Sequence, residues 1–136
     1  MEGNCYSSPV AKRQSRKTGG GCKRSVCPIA NVLDLVGDKW TLLIVRDLLF
    51  MGKRRYREFV ESPEGIPTNI LADRLKRLEA GEFVTKAPYQ TNPPRYTYSL
   101  TPKGADLKSV LLAMIAWSGK HVPGARKPPA KFMKGM

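Results

Sequence analysis

Apolar residues recur every three or four positions through the first half of the chain, which is the spacing of amphipathic helices. The first stripe contains Ile29, Val32, Leu33 and Val36 and is followed by Gly37. Residues 39–50 are apolar around most of a helical circumference, so they are predicted to form a central buried helix that Asp38 caps. A third helix is expected from about residue 56 until residues 62–65 stop it, and a fourth from about 67 to 80, ended by Gly81.

The spacing then changes to an alternation of apolar and polar residues, which is typical of strands. Residues 83–90 and 95–100 fit two strands, and the four residues between them suit an antiparallel hairpin loop. Residues 53–55 fit either a short edge strand or a turn. Thr101 and Pro102 suit the start of a last helix that continues to about His121. The predicted fold class is α+β and mainly α: a winged helix-turn-helix with extra N- and C-terminal helices.

In a winged helix, the third core helix enters the major groove of DNA and the hairpin lies beside it. Here that recognition helix is residues 68–80, whose apolar residues cluster on one face. The pattern also fits an ordinary surface helix with solvated charges, but the hairpin that follows it favours DNA binding. Asparagine can pair with adenine and arginine with guanine. The candidate base-contacting residues are Thr68, Asn69, Asp73 and Arg77.

Contacts to DNA phosphates need cations, and three segments of the predicted winged helix supply them. For each of these residues a solvated surface position is the alternative. Arg74 flanks the apolar stripe, so both a phosphate contact and an internal brace remain open for it. The candidate phosphate-contacting residues are Arg54, Arg55, Arg57, Arg74, Lys76, Arg77, Lys86 and Arg95.

The last predicted helix carries more apolar surface than one small domain can bury. A homodimer formed through this helix and the first one would cover that surface. It would also place two recognition helices about 34 Å apart, one turn of DNA, on a palindrome. The alternative, that the chain termini cover this face, is disfavoured by their composition. The candidate interface residues are Ile29, Val32, Leu33, Val36, Leu107, Val110, Leu111, Met114, Ile115 and Trp117.

The chain has 136 residues and a formal net charge of +13, but the charge is unevenly distributed. Residues 1–26 hold six bases and one acid, and residues 123–136 hold four bases and no acid. Both segments are rich in Gly, Ser, Pro and Lys, which predicts a disordered basic arm (1–26) and a flexible basic tail (123–136) around a domain at 27–122. A basic architectural protein that binds DNA or RNA without strong sequence choice is therefore the alternative to a sequence-specific regulator.

Several classes of protein are disfavoured by the sequence. One His and three Cys do not make a zinc site, so no metal or other cofactor is expected. The chain has no apolar run near the roughly 18–20 residues that span a bilayer and no secretory signal, so we expect a cytoplasmic, nucleoid-associated protein without membrane contacts. An enzyme is disfavoured because there is no phosphate-binding glycine loop and His121 has no evident nucleophile partner.

An ordered set of motifs between residues 27 and 121 resembles the HxlR-type family of bacterial transcription regulators, a MarR-related winged-helix group. The motifs include Cys27-Pro28, Gly37-Asp38-Lys39-Trp40 with Arg46, Arg55-Tyr56-Arg57-Glu58-Phe59, Pro93-Pro94-Arg95 and Tyr98-Ser99-Leu100-Thr101 with Gly104. The resemblance implies a homodimer that binds palindromic operators in double-stranded DNA. In this chain Gly81 comes one residue earlier than the glycine that usually precedes the hairpin, and residues 1–26 lie outside the match.

The resemblance also implies a sensor function for the cysteine just before the first helix, here Cys27. The residues are consistent with it, because a helix N-terminus with Lys23 and Arg24 nearby favours a thiolate. A small electrophile or an oxidant would then be the effector. Cys5 and Cys22 are candidate resolving thiols, and a purely structural role for Cys27 is the alternative.

Overall fold

The computed structural model describes residues 25–126. The predicted arm and tail therefore lie almost entirely outside the described residues. The described residues divide into two compact units, the first ending at Asp38 and the second beginning at Lys39. In the first unit, helix α1 (Pro28–Val36) has Cys27 at its N-cap and Pro28 at its first position, and it ends at Gly37. Val36 is buried, whereas Ile29, Val32, Leu33 and Leu35 are exposed.

The second unit contains the remaining helices and the hairpin, as the spacing of apolar residues predicts. Its elements are α2 (Thr41–Phe50), α3 (Tyr56–Val60), α4 (Thr68–Ala80), β1 (Val84–Thr91), β2 (Pro94–Leu100), α5 (Pro102–Ala105) and α6 (Lys108–His121). Strands β1 and β2 pair antiparallel, and we call this hairpin the wing. Helix α2 packs against β2 and α6, and α4 packs against α3 and β1. The buried side chains include Ile44, Val45, Phe59, Leu71, Leu75, Leu78, Phe83, Val84, Leu111 and Leu112.

Residues 53–55, expected as a short edge strand or a turn, form no strand and make a single bridge to the wing. Arg55 makes an antiparallel bridge to Thr97 of β2. The Tyr98 N–H donates a 2.8 Å hydrogen bond to the Arg54 carbonyl. The segment that leads into α3 is therefore joined to the wing.

Two predicted boundaries are wrong. Helix α2 begins at Thr41 because the Trp40 carbonyl accepts its first hydrogen bonds, from the N–H groups of Leu43 and Ile44, so Asp38 is not the N-cap. The predicted last helix is two helices. Gly104 lies so close to the Phe83 carbonyl that a Cβ there would collide with it, and the chain turns at residues 106–107 before α6 starts.

The hairpin is also tighter than predicted and carries an irregularity. The ladder extends to the pair Thr91 and Pro94, so only two residues, not four, lie between the strands. The register shifts between Pro88 and Gln90, which leaves Tyr89 as an extra residue in β1. Such a bulge redirects a side chain and is common beside functional sites.

Helix α4 ends in a Schellman motif. The Phe83 N–H donates to the Leu78 carbonyl at 2.9 Å, and the Glu82 N–H donates to the Glu79 carbonyl at 3.0 Å. Glu82 has a φ of 65°, whereas Gly81 has a φ of −84°. The left-handed position, which favours glycine, is thus occupied by glutamate because Gly81 comes one residue early.

Candidate nucleic-acid interface

Helix α4 buries Leu71, Leu75 and Leu78 and exposes its opposite face. Because residues three and four apart lie together on a helix, Asn69, Asp73 and Lys76 share that exposed face. The exposed residues that were predicted to contact bases or phosphates are Thr68, Asn69, Asp73, Lys76 and Arg77. The side chains predicted to contact bases from this helix are therefore all accessible.

The start of α4 is tied to α3. The Tyr56 hydroxyl donates a 2.9 Å hydrogen bond to the carbonyl oxygen of Thr68. The Leu71 N–H donates to the Pro67 carbonyl at 2.9 Å, which closes the first helical turn. These bonds fix the turn that carries Thr68 and Asn69.

The charges on α4 partly compensate one another. The Asp73 carboxylate accepts a hydrogen bond from Arg74, and it lies 3.7 Å from Arg77 Nη1. The Arg74 side chain is 17% exposed, whereas that of Arg77 is 58% exposed. These contacts favour a structural role for Arg74 within the domain over a phosphate contact. They leave Arg77 and Lys76 as the accessible cations of this helix.

A groove of about 340 Å³ lies between the start of α3 and the wing, and we call it the wing groove. The guanidinium of Arg55 lies 4.2 Å from the ring centroid of Tyr89. Burial raises the pKa of Tyr98 above its ordinary value, so its phenol stays neutral at physiological pH. The nine residues that line the groove are Arg55, Tyr56, Arg57, Tyr89, Pro93, Pro94, Arg95, Tyr96 and Tyr98.

The structure brings three of the predicted phosphate-contacting residues, Arg55, Arg57 and Arg95, into this one groove. Sequence reasoning missed the four tyrosines beside them. The alternation along β2 was a signal for Tyr96 and Tyr98, but no local pattern indicated the bulge at Tyr89.

The two remaining cations near the wing, Lys86 and Arg54, have different surroundings. Lys86 Nζ lies 4.6 Å from the ring centroid of Tyr96 and 3.7 Å from Glu79 Oε1. Arg54 is exposed, and its N–H donates to Glu58 Oε1 at 2.7 Å. The same oxygen accepts from the Arg55 N–H at 3.0 Å, and these two bonds hold the pKa of Glu58 below its usual value. The Glu58 side chain thus caps α3 by accepting hydrogen bonds from backbone N–H groups at its start.

A polar network holds the two connections that flank α3, and sequence reasoning missed it. Asp47 is buried on α2, and its carboxylate accepts hydrogen bonds from Ser62 Oγ at 2.5 Å and Arg46 Nη2 at 2.8 Å. Lys53 Nζ donates to Ser62 Oγ at 2.8 Å. Two charged residues inside an otherwise apolar helix were the available signal.

Arg46 extends this network to Glu64. Its two terminal nitrogens lie 2.8 and 2.9 Å from the two oxygens of Glu64, a bidentate pair. The hydrogen bonds from Arg46 hold the pKa of Glu64 below its usual value. The pKa of Arg46 is raised, chiefly by its bond to Glu64. The loop that precedes α4 is therefore anchored to α2.

The residues predicted for a dimer interface divide into two groups. Val36 and Leu111 are 2% and 7% exposed in the single chain, so their assignment to the interface is corrected: they have almost no surface left for a partner. Ile29, Val32 and Leu33 of α1 are exposed, as are Met114 and Trp117 of α6. Leu107, Val110 and Ile115 are partly exposed. Leu35, which the apolar stripe omitted, is 56% exposed.

Cys27 is a free and exposed cysteine at the N-cap of α1. Its backbone N–H donates to Ser25 Oγ at 3.0 Å. Cys5 and Cys22, the candidate resolving thiols, lie outside the described residues. Within residues 25–126, no helix has the length and apolar character needed to cross a membrane, and no group of His, Cys, Asp and Glu could hold a metal ion.

Comparison with known proteins identifies the family. A model of the HxlR-like helix-turn-helix family matches residues 35–125. The HTH-type transcriptional regulator sll1512 of Synechocystis, itself uncharacterized, is 39% identical over 89 residues, which are 65% of each chain. The HTH-type transcriptional regulator YodB of Bacillus subtilis is 35% identical over 95 residues, 69% of this chain and 84% of YodB. The chain spans 65% of the length of the cyanobacterial and mycobacterial relatives that it matches.

Solved structures agree with this match. The oxidized form of the redox regulator HypR is 33% identical with a TM-score of 0.62, over 70% of this chain and 97% of HypR. The reduced form of YodB is 32% identical with a TM-score of 0.59, over 75% and 100% of the two chains. The predicted winged fold is confirmed, and the relatives are named as regulators and not as enzymes. The chain belongs to the HxlR-like helix-turn-helix family, a MarR-like group of transcriptional regulators.

Proposed function

We propose that this protein is a homodimeric transcriptional regulator that binds a palindromic operator in double-stranded DNA of the nucleoid. The observation that carries the proposal is the exposed face of α4 beside a groove with three arginines. Bases would be contacted by Thr68, Asn69, Asp73 and Arg77, and phosphates by Arg54, Arg55, Arg57, Lys76, Arg77, Lys86 and Arg95. Arg74 would brace Asp73.

The experiment that tests this proposal compares affinities at one salt concentration. A palindromic site selected by the protein should bind at least a hundredfold more tightly than a scrambled duplex of the same length. Asn69→Ala should reduce that preference, because each lost bidentate base contact costs about 1–3 kcal/mol of discrimination. Lys120→Ala, an exposed cation at the end of α6, is the matched control and should retain the preference. Equal affinity for both duplexes would instead favour an architectural protein that uses charge alone.

The homodimer is supported by apolar surface that the single chain leaves uncovered. Trp117 is 62% exposed and Met114 is 51% exposed on α6, and Ile29 is 71% exposed on α1. A second copy could cover these faces through a twofold interface. Trp117→Lys should shift sedimentation at micromolar concentration from dimer to monomer, whereas Trp117→Phe should not. A wild-type protein that sediments as a monomer would contradict the dimer.

Thiol chemistry at Cys27 is the proposed switch. The thiol is exposed at a helix N-terminus, and the similar protein HypR is named a redox regulator. Diamide would accept two electrons and two protons as Cys27 and a second thiol form a disulfide, and methylglyoxal would add to the thiolate directly. Treated wild-type protein should change its operator affinity, and Cys27→Ser should not. If Cys27→Ser responds as the wild type does, Cys27 is not the switch.

A further inference from the structure

We propose that the wing groove binds a free mononucleotide and that this ligand competes with DNA for the same arginines. The phosphate would pair with Arg55, Arg57 and Arg95, and the base would stack on the Tyr89 side of the groove. The competition rests on the proposed DNA-binding function, whereas the binding itself does not.

The charge of the groove fits a phosphate. Three of its nine lining residues are arginines and none is acidic. In the part of the chain that the structure describes, Arg57 and Arg95 have no ion pair. One oxygen of the neighbouring carboxylate, Glu58 Oε1, accepts hydrogen bonds from the backbone N–H groups of Arg54 and Arg55. Guanidinium groups pair with phosphate through two parallel hydrogen bonds, and a dianionic monoester matches several of them better than a monocarboxylate does.

The aromatic residues of the groove fit a planar base. Tyr89 is 41% exposed and already carries the Arg55 guanidinium over its ring at 4.2 Å. Stacking on aromatic rings and on arginine is the sequence-tolerant way in which proteins hold single bases. Tyr96 and Tyr98 add apolar wall on the β2 side. A volume of about 340 Å³ lies at the small end of ligand pockets, about 300–1,000 Å³, so it suits a mononucleotide and not a dinucleotide.

The local backbone supports a built site. The irregularity between Pro88 and Gln90 takes Tyr89 out of the regular pairing of the wing. On the other side, the bridge between Arg55 and Thr97 and the hydrogen bond from Tyr98 to the Arg54 carbonyl hold α3 against β2. Both walls of the groove are therefore fixed before a ligand arrives.

The test is calorimetric titration of the full chain at low salt with AMP, GMP, adenosine and inorganic phosphate. We expect a nucleotide to bind at least tenfold more tightly than either adenosine or inorganic phosphate. Arg95→Ala should weaken nucleotide binding at least tenfold. Tyr89→Leu should weaken nucleotide binding but leave phosphate binding unchanged. Because both side chains are exposed, the variants should melt within a few degrees of the wild type, which circular dichroism checks.

Arg77→Ala is the matched control, because Arg77 is an exposed arginine of α4 that does not line the groove. It should weaken DNA binding and leave nucleotide binding unchanged. An equal loss of nucleotide affinity in Arg77→Ala and Arg95→Ala would overturn the proposal, because general electrostatics would then explain the binding. Equal affinities for nucleotide and inorganic phosphate, or no binding at millimolar concentration, would also overturn it.

Competition is measured separately. If nucleotide occupies the three arginines of both subunits, the logarithmic salt dependence of operator binding should become shallower by up to about six times 0.9. Nucleotide binding without operator preference would refute the proposed function and leave the groove assignment standing. Operator preference without nucleotide binding would refute only the groove assignment.

Discussion

Glu82 occupies the left-handed position at the end of α4 with a φ of 65°, so Glu82→Gly should stabilise the protein. A residue with a Cβ pays about 1–2 kcal/mol for this conformation. Glycine removes that strain, but its greater conformational freedom in the unfolded chain costs about 0.4–1 kcal/mol on folding. The net expectation is a gain of about 0.5–1 kcal/mol, or about 2–4 °C in melting temperature. Thermal unfolding at fixed protein concentration and neutral pH measures it.

Two control variants separate the effect of backbone strain on stability from the effects of the lost charge and of the added chain entropy. Glu82→Ala removes the same charge but keeps a Cβ in the strained position, so it should not stabilise. Glu61 is an exposed glutamate with an ordinary φ of −80°, so Glu61→Gly should destabilise by about 0.4–1 kcal/mol. The reasoning is refuted if Glu82→Gly melts at or below the wild-type temperature, or if Glu82→Ala stabilises as much.

Three further perturbations follow from the network around α3 and from the charge distribution. Asp47→Asn should lower the free energy of unfolding by about 1–3 kcal/mol in urea titration, because it weakens buried hydrogen bonds to Ser62 and Arg46; an unchanged midpoint contradicts this. The pKa of Glu64 in the folded protein lies below 4.5, so its carboxylate contributes to the free energy of unfolding above that pH, and this contribution is lost as the pH falls through the folded pKa. Glu64→Gln should therefore destabilise the protein at pH 7 and much less at pH 3. Removing residues 1–26 should weaken binding to all DNA and flatten its salt dependence, while a lost operator preference would mean that the arm contacts bases.

The order of elements could be predicted because it depends on local spacing. The apolar period changes near Phe83, and the wing begins at Val84. The break between α5 and α6 was not predicted, and neither was the close approach of Gly104 to the carbonyl of Phe83, 21 positions away. Local spacing carries no information about such an approach.

The same limit applies to the candidate site. The exposed face of α4 follows from helical geometry, so its residues could be predicted. The wing groove needs the bulge at Tyr89 and the bridge from Arg55 to Thr97, which join segments far apart in the chain. An apolar stripe also cannot distinguish burial within the chain from burial by a partner, which is why Val36 and Leu111 were assigned to the interface.

Selection of bound fragments from genomic DNA, followed by sequencing, tests most directly whether α4 reads bases as part of a dimer. Wild-type protein should enrich an inverted repeat whose half-sites lie about 10–10.5 base pairs apart or a multiple of that spacing. Asn69→Ala, run in parallel, should lose the preference at one symmetric pair of positions and retain the rest. Fragments without a repeat, or an unchanged motif with Asn69→Ala, would contradict recognition through this helix.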